Sequence, residues 1–380
     1  MAQLDRITIA GFKSIRKLED FELRPLNVLI GANGSGKSNF VGFFRLLREM
    51  VEQRLQVHIA TVEGGADACL FMGPKVTREF AANLVFGQNS YGFLLAPTPD
   101  NRLVVVEERV GFQGDSGPFG LRFGSGHQEA QLRQHCRNQP HGPYCEVYNA
   151  ISSRVVYHFH DTSATAAVRR AHALNDNEYF RPEADNLAPF LYLIQRQNPE
   201  CYSKIRDVVR LAAPFFDDFN LRPDPLAPSM IQLEWRQRGS DYPFRAHQLS
   251  DGTLRFICMA TALLQPSPPA AMLFDEPELG LHPYALTLVG SLFKQTAAVT
   301  RQIIVSSQSP ALLSEFQPED VIVVERENGE SVFRRLDADS LSEWLGEYTL
   351  GELWQKNILG GRPRGEQIPE AVRRGNNGHS

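Results

Sequence analysis

Residues Gly31-Ala32-Asn33-Gly34-Ser35-Gly36-Lys37-Ser38 fit the spacing G-x-x-x-x-G-K-[ST]. Glycines at these positions let the backbone curl until successive N–H groups converge on an anion. Lys37 is expected to reach the β- and γ-phosphates of ATP, and the Ser38 hydroxyl to ligate Mg²⁺. Asn33, Gly34, Ser35, Gly36, Lys37, Ser38 and Asn39 are thus the expected nucleotide contacts. The alternative is a merely flexible Gly/Ser turn. The apolar run NVLI before the loop and the amphipathic stretch after it argue against that.

Two further segments carry chemistry. AMLFDE (residues 271–276) reads as an apolar strand ending in two carboxylates. Behind a phosphate loop, Asp275 would hold the Mg²⁺ shell, and Glu276 would orient and deprotonate an attacking water. Alone, the pattern is equally a solvated strand end. Upstream, Leu249-Ser250-Asp251-Gly252-Thr253 opens a helix. Ser250 and Gly252 at a helix N-terminus can form a second anion site. An ordinary Ser N-cap explains those five residues by themselves; the ordered conjunction of all three segments favours the anion site.

These residues need a scaffold of alternating strands and helices. LDRITIAGF and FELRPLNVLIG read as two strands, and Phe40, Phe44, Leu47, Val51 and Leu55 mark one buried face of a helix over about 37–55. Residues 80–112 read as antiparallel strands turning at PTPDN, and 111–143 as an irregular excursion. The region 160–225 is helix-like but cut by Pro182, Pro189, Pro199 and Pro214, with no heptads for a long coiled coil. Beyond it the order is helix (253–264), strand AAMLFDE, helix (283–299), strand QIIVSS and the hairpin DVIVVERENGESVFRRL. The expected domains are an ATP-binding half over 1–150, a helical insertion over 151–230, a second ATP-binding half over 231–359 and a disordered tail over 360–380.

Composition excludes several classes. Of 380 residues, 42% are apolar and 22% charged, as in an ordinary soluble globule. No apolar run approaches the roughly 20 residues of a membrane span, and the N-terminus lacks a signal-peptide layout. Five scattered cysteines suggest reduced thiols and a cytoplasmic protein. A net charge of −5 speaks against nucleic-acid binding over the whole surface, though not against a local basic stripe.

Taken together, GFKSI, GANGSGKSNF, NLAPFLYLIQ, LSDGTLRF, LFDEPELGLHP, IVSSQSP and LGELWQKNILGGRP resemble the RecF/SMC-like ATPases of the ABC class, and in particular a prokaryotic family of stand-alone AAA/ABC-type ATPases. The resemblance implies an α/β P-loop head with an antiparallel β subdomain and a helical lobe. It also implies a homodimer that sandwiches two ATP molecules, Ser250 and Gly252 closing on the nucleotide of the other subunit. Such a clamp couples ATP hydrolysis to DNA, or to a separately encoded effector protein, in genome maintenance or phage defence, with no membrane partner. An OLD-like component acting with a separate nuclease subunit and the ATPase subunit of a transporter are the alternative assignments. The sequence departs from the pattern in lacking coiled-coil arms, in carrying His282 where many ABC proteins have Asp, and in carrying Gln308 where relatives have a switch histidine. Gln308 then reads either as a γ-phosphate sensor or as the cap of a following helix. Lys13 in GFKSI reads equally as a nucleotide neighbour or as a solvated lysine.

Other clusters carry weaker signals. His127, His135, Cys136, His141 and Cys145 invite a zinc reading but lack a C-x-x-C pair, so ordinary loop residues are favoured. His158, His160 and Asp161 fit a strand edge better than a metal site. Asp337 and Asp339 fit a turn or helix cap better than a nuclease site.

Overall fold

The computed structural model describes residues 3–114, 117–299 and 302–361; the expected tail lies, from residue 362 on, outside the described residues. The fold divides into two compact units, one formed by the residues up to Arg154 together with those from Gln317, the other by Val155–Phe316.

In the first unit the strands run in the order Ile15–Glu22, Arg6–Phe12, Phe80–Phe86, Asn89–Pro97, Leu103–Gly114, Gly117–Arg122, all antiparallel. Phe80–Phe86 alternates buried and half-buried side chains, as a strand with one covered face must. The cover is helix Lys37–Val51. Its Phe43 meets Phe12 and Phe80 at ring-centroid distances of 5.9 and 6.2 Å, and Phe12 meets Phe80 at 4.9 Å. Phe40, Phe44, Leu47, Val51 and Leu55 are all buried, as their spacing predicts, although the helix ends at Val51 and a short turn of helix restarts at Leu55.

The N-terminal segment forms three strands rather than the expected two. The chain reverses at Lys13, whose φ is +47°, so Ile15–Glu22 pairs back onto Arg6–Phe12. A turn then separates it from Leu26–Ile30. Asn27 closes that turn, its carbonyl oxygen accepting from the Arg24 N–H (3.0 Å) and its amide donating to the Arg24 carbonyl (2.5 Å). Leu26–Ile30 is buried throughout and runs parallel to Val321–Glu327, the continuous apolar pattern of a strand covered on both faces. Val321–Glu327 turns into Glu330–Arg335 through Asn328 and Gly329, both with positive φ, as a two-residue hairpin requires.

The stretch 111–143 is less irregular than expected, because it holds the strand Gly117–Arg122 and the helix Leu132–Asn138. That helix folds back on Pro143–Ser152 and brings Cys136 and Cys145 together in a disulfide. The expectation of five reduced thiols is therefore corrected to one disulfide and three buried free cysteines, Cys69, Cys201 and Cys258. Burial pushes the Cys69 and Cys258 thiols up to about 12, which makes them inert. Among the described residues no group of His, Cys, Asp and Glu could hold a metal as a cluster.

In the second unit Ala271–Asp275 and Gln302–Ser307 pair in parallel, Asp275 opposite Ser306. Helices Leu187–Gln197, Pro199–Ala212, Asp251–Leu264 and Pro283–Ala298 accompany them. The stretch expected to be a helical insertion also contributes strand Phe216–Phe219, which pairs with Glu234–Gln237 and, through it, with Pro243–Arg245. Phe216, Phe219, Trp235 and Phe244 cluster there, and that aromatic content favours strand over helix. No helix among the described residues exceeds the 16 residues of Pro283–Ala298, which leaves none for a long coiled coil. None is long and apolar enough to cross a membrane.

The cluster around Phe43 gives a direct test of how the phosphate-loop helix is seated. Phe43→Ala is expected to cost about 3–5 kcal/mol of stability, measured as a lowered midpoint in urea unfolding. A loss below about 1 kcal/mol would mean that the helix is held by other contacts.

Candidate functional site

The phosphate loop leaves the buried strand Leu26–Ile30 and enters helix Lys37–Val51 through Gly36, which occupies the N-cap position at φ +111°. A Cβ at Gly36 would lie 2.0 Å from the Ser331 hydroxyl and 2.6 Å from that of Ser14, so only glycine fits. No side chain caps this helix. Its first N–H groups and the positive end of its dipole are left for an anion.

A hydroxyl network braces the loop from behind. The Ser331 hydroxyl donates to the Ser35 carbonyl (2.6 Å) and shares a hydrogen bond with Ser14 Oγ (2.7 Å), which accepts from the Asn39 amide (2.7 Å). Arg326 donates to the Gly34 carbonyl at 3.2 Å. Lys37 is buried, its ammonium donating to the carbonyls of Gly31 (2.8 Å) and Ala32 (3.0 Å). Asn33, Gly34 and Ser38 are exposed. Ser35 is buried, and its hydroxyl has no hydrogen-bond partner among the described residues. An uncapped helix, a buried lysine and an exposed hydroxyl after it suit a triphosphate with Mg²⁺.

Two expected contacts are engaged elsewhere. Asn39 serves Ser14. Lys13 is half-buried, and its ammonium pairs with Glu63 at 2.6 Å, near Gly42 in the second turn of the helix. Burial alone would raise the Glu63 carboxyl, but hydrogen bonds from His58 and Lys13 outweigh it and hold it below its usual range.

In the second unit the paired strand ends match acids to donors. Asp275 accepts from the Ser306 hydroxyl, and Glu276 accepts from the side-chain amide of Gln308. Glu278 accepts from the Gln308 backbone N–H at 2.6 Å. The Glu276 N–H donates to the Ser306 carbonyl (2.8 Å), and Glu276 itself has φ +46°, rare for a residue with a Cβ. His160 Nε2 lies 2.7 Å from the Asp275 carbonyl oxygen. Burial raises the Glu278 carboxyl, and the nearby negative charge of Glu276 adds to this against the hydrogen bonds from Gln308 and Ser307. The cap reading of Gln308 is corrected. Ser309 caps helix Pro310–Leu313, its hydroxyl accepting from the Leu312 N–H at 3.2 Å.

At LSDGT, the Ser250 hydroxyl caps helix Asp251–Leu264 by accepting from the Thr253 N–H at 3.2 Å. A Cβ at Gly252 would come within 2.1 Å of the Gly280 carbonyl oxygen, so glycine is demanded there by close packing. Two arginines hold this segment. Arg169 donates to the carbonyls of Ala246, Leu249 and Thr162 and pairs with Asp251 at 2.7 Å. Arg255 donates to the carbonyls of Phe159, His160 and Leu279. His282 caps helix Pro283–Ala298 and Asp337 caps helix Ala338–Leu345. Sequence reasoning missed Ser14, Ser331, Glu278, Arg169 and Arg255. Only Glu278 carried a local signal, as a third acid directly after DEP.

The fold and these motifs define an AAA-type ATPase with an SMC-head fold. A crystal structure of an SMC head bound to the C-terminal winged-helix domain of ScpA matches 89% of this chain and 99% of its own, with a TM-score of 0.60 at 15% identity. An SMC head with an extended coiled coil, bound to the C-terminal domain of ScpA derived from Pyrococcus furiosus, matches 91% and 99%, with a TM-score of 0.58 at 15% identity. The chain belongs to the family described as AAA domain, putative AbiEii toxin, type IV TA system, whose model matches residues 26–314. No curated protein matches it.

Lys37→Ala removes the point charge of the phosphate loop. The dissociation constant for ATP is expected to rise at least about tenfold, or about 1.4 kcal/mol, in a calorimetric titration. An unchanged constant would remove this loop from the nucleotide site.

Proposed function

We propose that the protein is a Mg²⁺-dependent ATPase that works as a nucleotide-sandwiched homodimer in the cytoplasm. The observation that carries this reading is the pairing of acids and donors at the ends of Ala271–Asp275 and Gln302–Ser307, taken together with the phosphate-loop helix of the first unit having no side-chain cap. The loop N–H groups and Lys37 bind the triphosphate. Ser38 and Asp275 are the residues that would hold Mg²⁺, which would supply neutralisation of phosphate charge. Glu276 takes the proton of the attacking water, and the Gln308 amide, tethered to Glu276, positions that water. Ser250 and Gly252 meet the nucleotide of the second subunit.

The output of the clamp is DNA sensing or remodelling, or control of a separately encoded effector. The family's description as part of a toxin–antitoxin system supports the second, as does the presence of a ScpA domain on the similar SMC heads.

Glu276→Gln should keep ATP bound while removing the base, and so accumulate an ATP-dependent dimer in light scattering. Ser250→Arg in that background should abolish the dimer while leaving ATP binding intact. A Glu276→Gln protein that stays monomeric at saturating ATP would defeat the homodimeric sandwich.

Gln308 and Ser309 should separate by measurement. Gln308→Ala is expected to lower turnover by about tens to hundreds of fold, the usual loss for one oriented donor, with little change in melting temperature. Ser309→Ala should cost about 1 kcal/mol of stability as a lost cap, with turnover nearly intact. The reverse pattern would reassign both residues.

A further inference from the structure

Glu278 has no part in the chemistry assigned above, yet it is tied to Gln308 more closely than any other side chain except Glu276. Its Oε1 accepts the Gln308 N–H at 2.6 Å, just past the end of strand Gln302–Ser307. The second oxygen of that carboxylate is buried without a hydrogen-bond partner among the described residues, a cost that stability alone does not explain.

We propose that Glu278 is a positioning residue for ATP hydrolysis, fixing the Gln308 backbone so that the Gln308 amide meets Glu276 at one angle. This rests on the reading of Glu276 as base and Gln308 as the water-positioning amide. A glutamine held only at its tip retains several rotamers, and each costs entropy to freeze in the transition state. Gln308 is held at both ends: Glu278 takes the backbone N–H and Glu276 takes Nε2. An ionised Glu276 can only accept, so the NH₂ side of the amide must face it. The Gln308 Oε1 is then the atom left to accept a hydrogen bond from the attacking water. Without Glu278 the strand end can rotate about Gln308, and the amide loses its fixed direction. A misplacement of about 1 Å is enough to cost a large factor in rate.

The test is a double-mutant cycle on the full chain, read as single-turnover ATP hydrolysis and as ATP affinity. Glu278→Ala is expected to lower turnover at least about tenfold. ATP affinity should stay within about twofold, because the phosphate loop is untouched. In a Gln308→Ala background the same substitution should change turnover by less than about twofold, since its effect passes through Gln308. Glu278→Gln, which keeps an oxygen for the Gln308 N–H, should retain turnover within about threefold. Equal losses in both backgrounds, or a fully active Glu278→Ala, would overturn the proposal. Should Glu278→Ala not fold, Glu278→Met keeps the volume without the acceptor and is read in the same way. Hydrogen exchange at the Gln308 amide decides independently of activity. Slow exchange in the wild type and in Glu278→Gln, with fast exchange in the Ala or Met variant, supports the proposal; fast exchange in the wild type rejects it. A wild-type protein that binds ATP but never hydrolyses it would instead defeat the ATPase reading, leaving exchange to judge the contact.

Discussion

The first unit depends on one constraint: the backbone must enter helix Lys37–Val51 through a left-handed residue with nothing capping the helix. Gly36 meets it at φ +111°, wedged against the hydroxyls of Ser331 and Ser14. Those hydroxyls come from distant parts of the chain, one from the hairpin after Val321–Glu327 and the other from the reversal after Arg6–Phe12. Their bonds to the Ser35 carbonyl and to Asn39 brace the loop from behind. A Ser or Asp at the cap would have stabilised the isolated helix by about 1 kcal/mol and would have closed the anion site.

The second unit solves a complementary problem, which is to bring several carboxylates together without mutual repulsion unfolding the strand ends. Each acid has its own donor. Asp275 has the Ser306 hydroxyl, Glu276 the Gln308 side chain and Glu278 the Gln308 backbone. Parallel pairing with Asp275 opposite Ser306 creates this match, because it sets the two polar strand ends level. Glu278 also escapes repulsion by burial, which shifts it toward its neutral form.

Local pattern made the phosphate loop, the helix after it, the parallel strands and the hairpin at Asn328-Gly329 legible from sequence, because each is dictated by glycine placement or by apolar periodicity within a short window. What stayed hidden is long-range or conformational. The Lys13–Glu63 pair joins residues fifty positions apart, and nothing near Lys13 names its partner. The Cys136–Cys145 disulfide depends on a fold-back between two short helices that neither helix signals. Gly252 was legible as a glycine in a candidate anion site, but its close approach to the Gly280 carbonyl is a packing fact. The distinction between Gln308 and Ser309 as helix cap turned on a single hydroxyl bond, since polar residues at adjacent positions suit the role equally.

The unfavourable features of the molecule concentrate where its chemistry is assigned. Glu276 adopts a left-handed backbone conformation that costs of order 1–3 kcal/mol for a residue with a Cβ. Ser35 buries a hydroxyl, and Glu278 a carboxylate oxygen, without a hydrogen-bond partner among the described residues. Each such group costs about 1–3 kcal/mol. Apolar burial elsewhere offsets these costs: the aromatic contacts around Phe43 and the wholly buried strands Leu26–Ile30 and Gln302–Ser307 are strain-free by comparison. A stable scaffold that tolerates strain at its phosphate loop and its acid cluster is the expected physical signature of residues arranged for a substrate rather than for the resting fold.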